Sequence, residues 1–187
     1  MSNTSLREQV AGERRRLKAV RSALSRALER GARGDAAFVP FYIAEGDYLE
    51  AAMRRLDDQD VRMGELILKR LGAPPDTAQQ AALDEIEARL RINRQHLQKL
   101  LAARDALRAE GVPALGQFEK VGQAYSDFIT ATMGHHGPVT ELAQRLFSVD
   151  DWGHMAGISE AETRRERELY DRVLASLPAG VEVPPIA

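Results

Sequence analysis

The chain has no cysteine, a single tryptophan, four tyrosines and five phenylalanines in 187 residues, and no long apolar run. Each shortage excludes something. Without cysteine there is no disulfide, thiolate metal site, iron–sulfur cluster or cysteine nucleophile. No stretch approaches the ~20 apolar residues needed to cross a bilayer, and the first residues, MSNTSLREQV, lack the apolar core of a signal peptide. A cytoplasmic protein without a membrane span is expected. The formal charge of −2 gives no overall attraction to nucleic acid. The phosphate-binding Gly-x4-Gly-Lys-Ser/Thr loop, the Gly-x-Gly-x2-Gly dinucleotide fingerprint, the His-Glu-x2-His zinc helix and the Gly-x-Ser-x-Gly elbow are all missing. No catalytic residue is predicted.

What is present is helical periodicity. Hydrophobic residues make up 44 % of the chain, ordinary for a globular protein. Between Ser5 and Arg30, Leu6, Val10, Leu17, Val20, Leu24 and Leu28 form one apolar stripe, ended by Gly31 and Gly34. A second stripe (Leu49, Met53, Leu56, Met63, Ile67) follows Pro40 and stops at Gly72. Asp76 or Thr77 caps a third (Leu83, Ile86, Leu90, Leu97, Leu100), which Gly111 and Pro113 end. A fourth carries Phe118, Val121, Tyr125, Phe128 and Ile129, and Gly134, Gly137 and Pro138 predict a break between Met133 and Val139. Ser159 and Glu162 form a capping-box pattern for a last helix ending near Leu177. No segment alternates as a strand does. The expected fold is all-α: an antiparallel four-helix bundle with an additional short C-terminal helix. It forms one domain over residues 1–177, with a disordered tail over 178–187.

Bundles build ligand and metal sites from polar side chains that face the interior. Here His96 borders the third stripe, and His135 and His136 sit at the predicted break. Adjacent residues point about 100° apart on a helix, so both imidazoles can face one ion only where the backbone leaves the helix. His136 and Glu141 make a His-x4-Glu pair if Pro138 restarts the helix. Asp60 occupies a stripe position between Leu56 and Met63, and Glu45 lies one turn before Leu49. An inward carboxylate must be paired, protonated or metal-bound, and Arg55, Arg62 and Arg94 are at hand as partners.

The helix order, the segment from Phe41-Tyr42 to Asp60, His96, and the run from His135 to Glu141 resemble the hemerythrin-like, or HHE cation-binding, family. That resemblance implies a four-helix bundle around a metal centre ligated by histidines and carboxylates. It assigns His96, His135, His136, Glu141, Glu45 and Asp60 as the available ligands, with Fe, Mn or Zn as the ion. The family's pattern has a histidine on the first helix, His-x3-Glu on the second, His-x3-His on the third and His-x4-Asp on the fourth. This chain has no histidine on its first two helices, and Leu100 stands four residues after His96. The implied site is therefore one weakly held metal or a polar pocket with none, rather than an oxygen-carrying di-iron pair.

Charge is uneven, with nine basic and four acidic side chains among residues 1–35. The Arg14-Arg15-Arg16 cluster with Lys18 is read as a solvated face that pairs with acidic neighbours such as Asp57 and Asp58. Contact with nucleic acid ranks last, because no aromatic residue interleaves with the cluster to stack on bases. The main expectation is binding of a metal ion or small ligand inside the bundle. The alternative is a non-catalytic structural or interaction module, for instance a homodimer.

Overall fold

The computed structural model describes residues 3–132 and 137–183. Over them the chain forms seven α-helices, a short 3-10 turn and no strand. Helix α1 (Asn3–Arg30) lays Val20 and Leu24 into the core, joined by the small Ala19, Ala23 and Ala27. Gly31, at φ 68°, turns the chain out of it. Helix α2 (Phe38–Leu71) runs unbroken to Gly72, whose left-handed backbone closes it in the way glycine permits at no steric cost. Helix α3 (Thr77–Glu110) begins with a reciprocal capping box between Asp76 and Gln79. After the turn Val112–Ala114 come α4 (Leu115–Thr132) and α5 (Pro138–Leu146).

Helices α2 and α3 lie antiparallel, which their ion pairs show directly. Asp47 pairs with Arg108, Glu50 with Arg104, Asp57 with Arg94 and Asp60 with Arg89, so partner numbers fall on α3 as they rise on α2. Helix α4 packs on α3 and α1, while α2 also contacts α1, α5, α6 and α7. Buried side chains form two clusters. The larger holds Phe38, Phe41, Tyr42, Phe118 and Leu100, and the smaller joins Met63 and Ile67 to Ile86 and Leu142.

The expected break between Met133 and Val139 includes residues 133–136, which lie outside the described residues; α4 ends at Thr132, Gly137 is extended (φ −72°, ψ 177°), and Pro138 opens α5 at its first position as expected. Two features differ from expectation. The segment around Trp152, to which the sequence assigned no element, is a helix, α6 (Val149–Ala156), capped by Ser148 and Asp151. Trp152 meets Phe147 edge-on at 5.2 Å and packs on the smaller cluster. Beyond α7 (Glu160–Ala175) the tail over 178–187 was expected to be disordered; residues 184–187 lie outside the described residues, and as far as Val183 the chain packs on the core. Val181 is 5 % exposed, and the Arg26 guanidinium donates to the Glu182 carbonyl at 3.0 Å.

Two glycines inside α2 predict opposite responses to alanine. A Cβ at Gly64 would touch nothing within 4 Å, whereas at Gly46 it would meet Arg104 Cδ at 2.7 Å. Gly64→Ala is expected to add about 0.5–1 kcal/mol through helix propensity, or roughly 2 °C in melting temperature. Gly46→Ala should lose that gain to the displaced Arg104, and thermal unfolding of the two variants compares them.

Candidate functional site

The expected ligands do not gather. Glu45 is completely buried, and neither carboxylate oxygen has a hydrogen-bond partner. Burial pushes its carboxyl well above the ordinary 4.5, because water no longer stabilises the anion. Between positions 45 and 60 of the continuous helix α2 the axis advances about 22 Å, so Glu45 and Asp60 cannot ligate one ion. His96 is bracketed by Arg94 and Arg104, whose partners are Asp57 and Glu50. That register sets His96 about 15 Å along the axis from Glu45, against metal–nitrogen bonds of about 2 Å. Its imidazole instead lies flat on the Phe128 ring, with centroids 4.2 Å apart. Glu141 is exposed in the first turn of α5, and His135 and His136 lie outside the described residues. Among the described residues no three histidines or carboxylates are placed to hold a metal ion.

The arginines are also committed differently than expected. Asp60 binds Arg89 at 2.9 Å, Asp57 binds Arg94 at 2.9 Å, and the Arg62 guanidinium donates to the backbone carbonyls of Asp58 and Gly157. Asp57 therefore serves α3 and not the basic first helix. On α1, Arg16 reaches α7 and Glu13 reaches Arg55 of α2, while Arg14 and Arg15 stay exposed.

Those two contacts frame the feature that the sequence did not reveal. Between α1, α2 and α7 lies a cavity of about 430 Å³, with apolar walls from Val10, Leu17, Ala51, Ala52, Leu56 and Ile158. One polar group at its edge is fully satisfied. Glu166 of α7 accepts from Arg16 Nε (2.9 and 2.8 Å), from Arg16 Nη2 (2.6 Å) and from the Tyr48 hydroxyl (2.6 Å). Burial and the adjacent Glu166 carboxylate raise the Tyr48 pKa, so Tyr48 stays protonated and remains a donor.

A second polar group, Arg55, is not satisfied. Arg55 pairs through Nη1 with Glu13, but its Nε and Nη2 are shielded from water and have no hydrogen-bond partner. A buried donor left unmade costs about 1–3 kcal/mol. The same side chain also borders a shallower groove that reaches His154 and Arg62.

No sequence pattern announces this place. Arg16 and Glu166 are 150 positions apart, and Arg55 looks like one more arginine among the apolar residues of α2. The only hint is Glu166 itself, three residues before the buried Leu169 and on the same face of α7.

Compared with known proteins, the chain matches no family model, no curated sequence and no solved structure. The resemblance to the hemerythrin-like family rests on the residues already quoted for it.

Proposed function

We propose that this chain is a small-ligand-binding helical protein whose ligand occupies the cavity between α1, α2 and α7. In this reading α1 to α4 form a four-helix bundle of the kind the hemerythrin-like resemblance implies. Helix α7 then closes a binding site on the bundle's flank, away from the position of a central metal. One observation carries it: an apolar cavity of about 430 Å³ with a largely buried arginine at its wall. That size falls within the roughly 300–1,000 Å³ of small-molecule sites, which pair apolar walls with a few polar anchors. The Tyr48 hydroxyl donates to Glu166, but Arg16 neutralises that carboxylate and Tyr48 stays protonated, so binding rather than turnover is the activity proposed.

Titration with the neutral fluorophore N-phenyl-1-naphthylamine tests the reading. Saturable binding at one site per chain is expected. Ala52→Phe, which fills the cavity from α2, should weaken it at least tenfold without changing helix content. Absence of saturable binding, or binding that Ala52→Phe leaves unchanged, would remove the proposal and return the interaction-module alternative to first place.

A further inference from the structure

We infer that the ligand of this cavity is an uncharged, mainly apolar molecule, because the buried charges of the wall are engaged with one another as struts between the helices. The inference rests on the cavity reading above and adds the chemical class of the ligand.

The struts follow the three helices that bound the space. Glu13 of α1 takes Arg55 of α2. Glu166 of α7 takes Arg16 of α1 at 2.6 Å and accepts from the Tyr48 hydroxyl of α2, also at 2.6 Å. One link therefore joins each pair of helices, α1 to α2, α1 to α7 and α2 to α7. Such links fix the spacing of the helices and keep the apolar walls from closing on each other. They are not available to a ligand, since an incoming ion would have to break one of them and leave its partner buried and uncompensated. The remaining nitrogens of Arg55, Nε and Nη2, present almost no accessible surface, so a molecule in the cavity does not meet them.

The other charged residues along the cavity stand in water. Arg14, Asp58 and Arg165 are exposed, as are Arg54, which pairs with Glu50, and Glu162, which caps α7 through Ser159. Both signs are present among them, so the mouth favours neither an anion nor a cation. Inside, Val10, Leu17, Ala51, Ala52, Leu56 and Ile158 offer only apolar contact, and Gln59 adds a neutral amide. A charged group drawn into that space gives up its water and gains no partner, whereas an apolar body gains by leaving water. The cavity of about 430 Å³ has the bulk of about fourteen water-sized groups at ~30 Å³ each, so a decyl chain or a two-ring aromatic fits.

The test displaces N-phenyl-1-naphthylamine from the full chain at pH 7.5 with three compounds that share one tail: decanol, decanoate and decylammonium. Decanol is expected to reach half-displacement at a concentration at least tenfold lower than either ion. Titration calorimetry of decanol alone locates the binding: one site per chain is expected, weakened at least tenfold by Ala52→Phe. If either ion competes within tenfold of decanol, or if Ala52→Phe leaves decanol binding unchanged, the assignment of an uncharged ligand is overturned while the cavity reading stands on the probe. If the probe itself does not bind, the cavity reading fails and this inference fails with it.

Discussion

Glu166→Ala is expected to destabilise the protein by about 3–5 kcal/mol, the cost of removing one member of a buried ion pair and leaving the other uncompensated. Glu166 is 7 % exposed and ties α7 to both neighbours, accepting from Arg16 of α1 and from Tyr48 of α2. Its loss strands a guanidinium and a phenol at once, and undocks the helix that walls the cavity. At roughly 2–4 °C per kcal/mol for a chain of this length, the melting temperature should fall by about 10 °C. Tyr48→Phe removes only a neutral donor and should cost about 1 kcal/mol. Replacing the pair together, Arg16→Met with Glu166→Leu, should recover most of the loss, because an apolar pair leaves no buried charge. Urea unfolding of the three variants gives these differences. A loss below 1 kcal/mol for Glu166→Ala would mean that α7 is held by its apolar residues alone.

Glu45→Met works in the opposite direction. It replaces a fully buried, unpartnered carboxyl by an apolar side chain of similar length, and should stabilise the protein by about 1–3 kcal/mol at pH 7.5. The groups facing Glu45 do not relieve it. The Tyr42 phenol, on the same helix, and the Tyr125 phenol, from α4, are held protonated mainly by their own burial, and the Glu45 charge adds to that.

The pH dependence follows from the sign of the shift. A carboxyl whose folded pKa is raised binds more protons in the folded state, so its effect on stability becomes unfavourable as pH rises from the ordinary 4.5 through the folded value. Wild-type stability should therefore decline from pH 5 upward, by at most about 1.4 kcal/mol per pH unit from this group. The Glu45→Met variant should lack that decline. Asp151 and Glu162 act the other way. Asp151 is held below its ordinary 3.8 by Arg70 and Ser148, and Glu162 below its ordinary 4.5 by hydrogen bonds from Ser159, so their contributions disappear only in acid. If wild type and variant show parallel stability profiles between pH 5 and 8, Glu45 is not the buried acid described.

The long helices were readable because their information is local. The stripes of α1 to α4, the glycine after α2 and the Ser159–Glu162 box each sit within a few turns of what they determine. Helix α6 was missed because VDDWGHMA is only eight residues long and contains a glycine, too short for periodicity to distinguish from a polar connection. The tail was missed for a different reason. Pro178 and Gly180 look like punctuation, yet Val181 finds a place in the core that only the folded chain provides.

At the level of the site, sequence identified Glu45 as an inward acid in need of a partner but could not show that it has none. Asp60, read as occupying a stripe position, is half-buried and pairs with Arg89, one of many arginines that spacing could not rank. The Arg16–Glu166–Tyr48 cluster depends on α7 folding back over α1 and α2. No local pattern in either segment encodes that contact.

The central claim is that a ligand enters between α1, α2 and α7. Mapping backbone amide chemical shifts of the labelled protein during addition of N-phenyl-1-naphthylamine tests it most directly. The account predicts saturable changes concentrated at residues 10–17, 48–59 and 158–166. Changes centred on the Glu45 or His96–Phe128 levels of the core, or none while the probe is in excess, would contradict it.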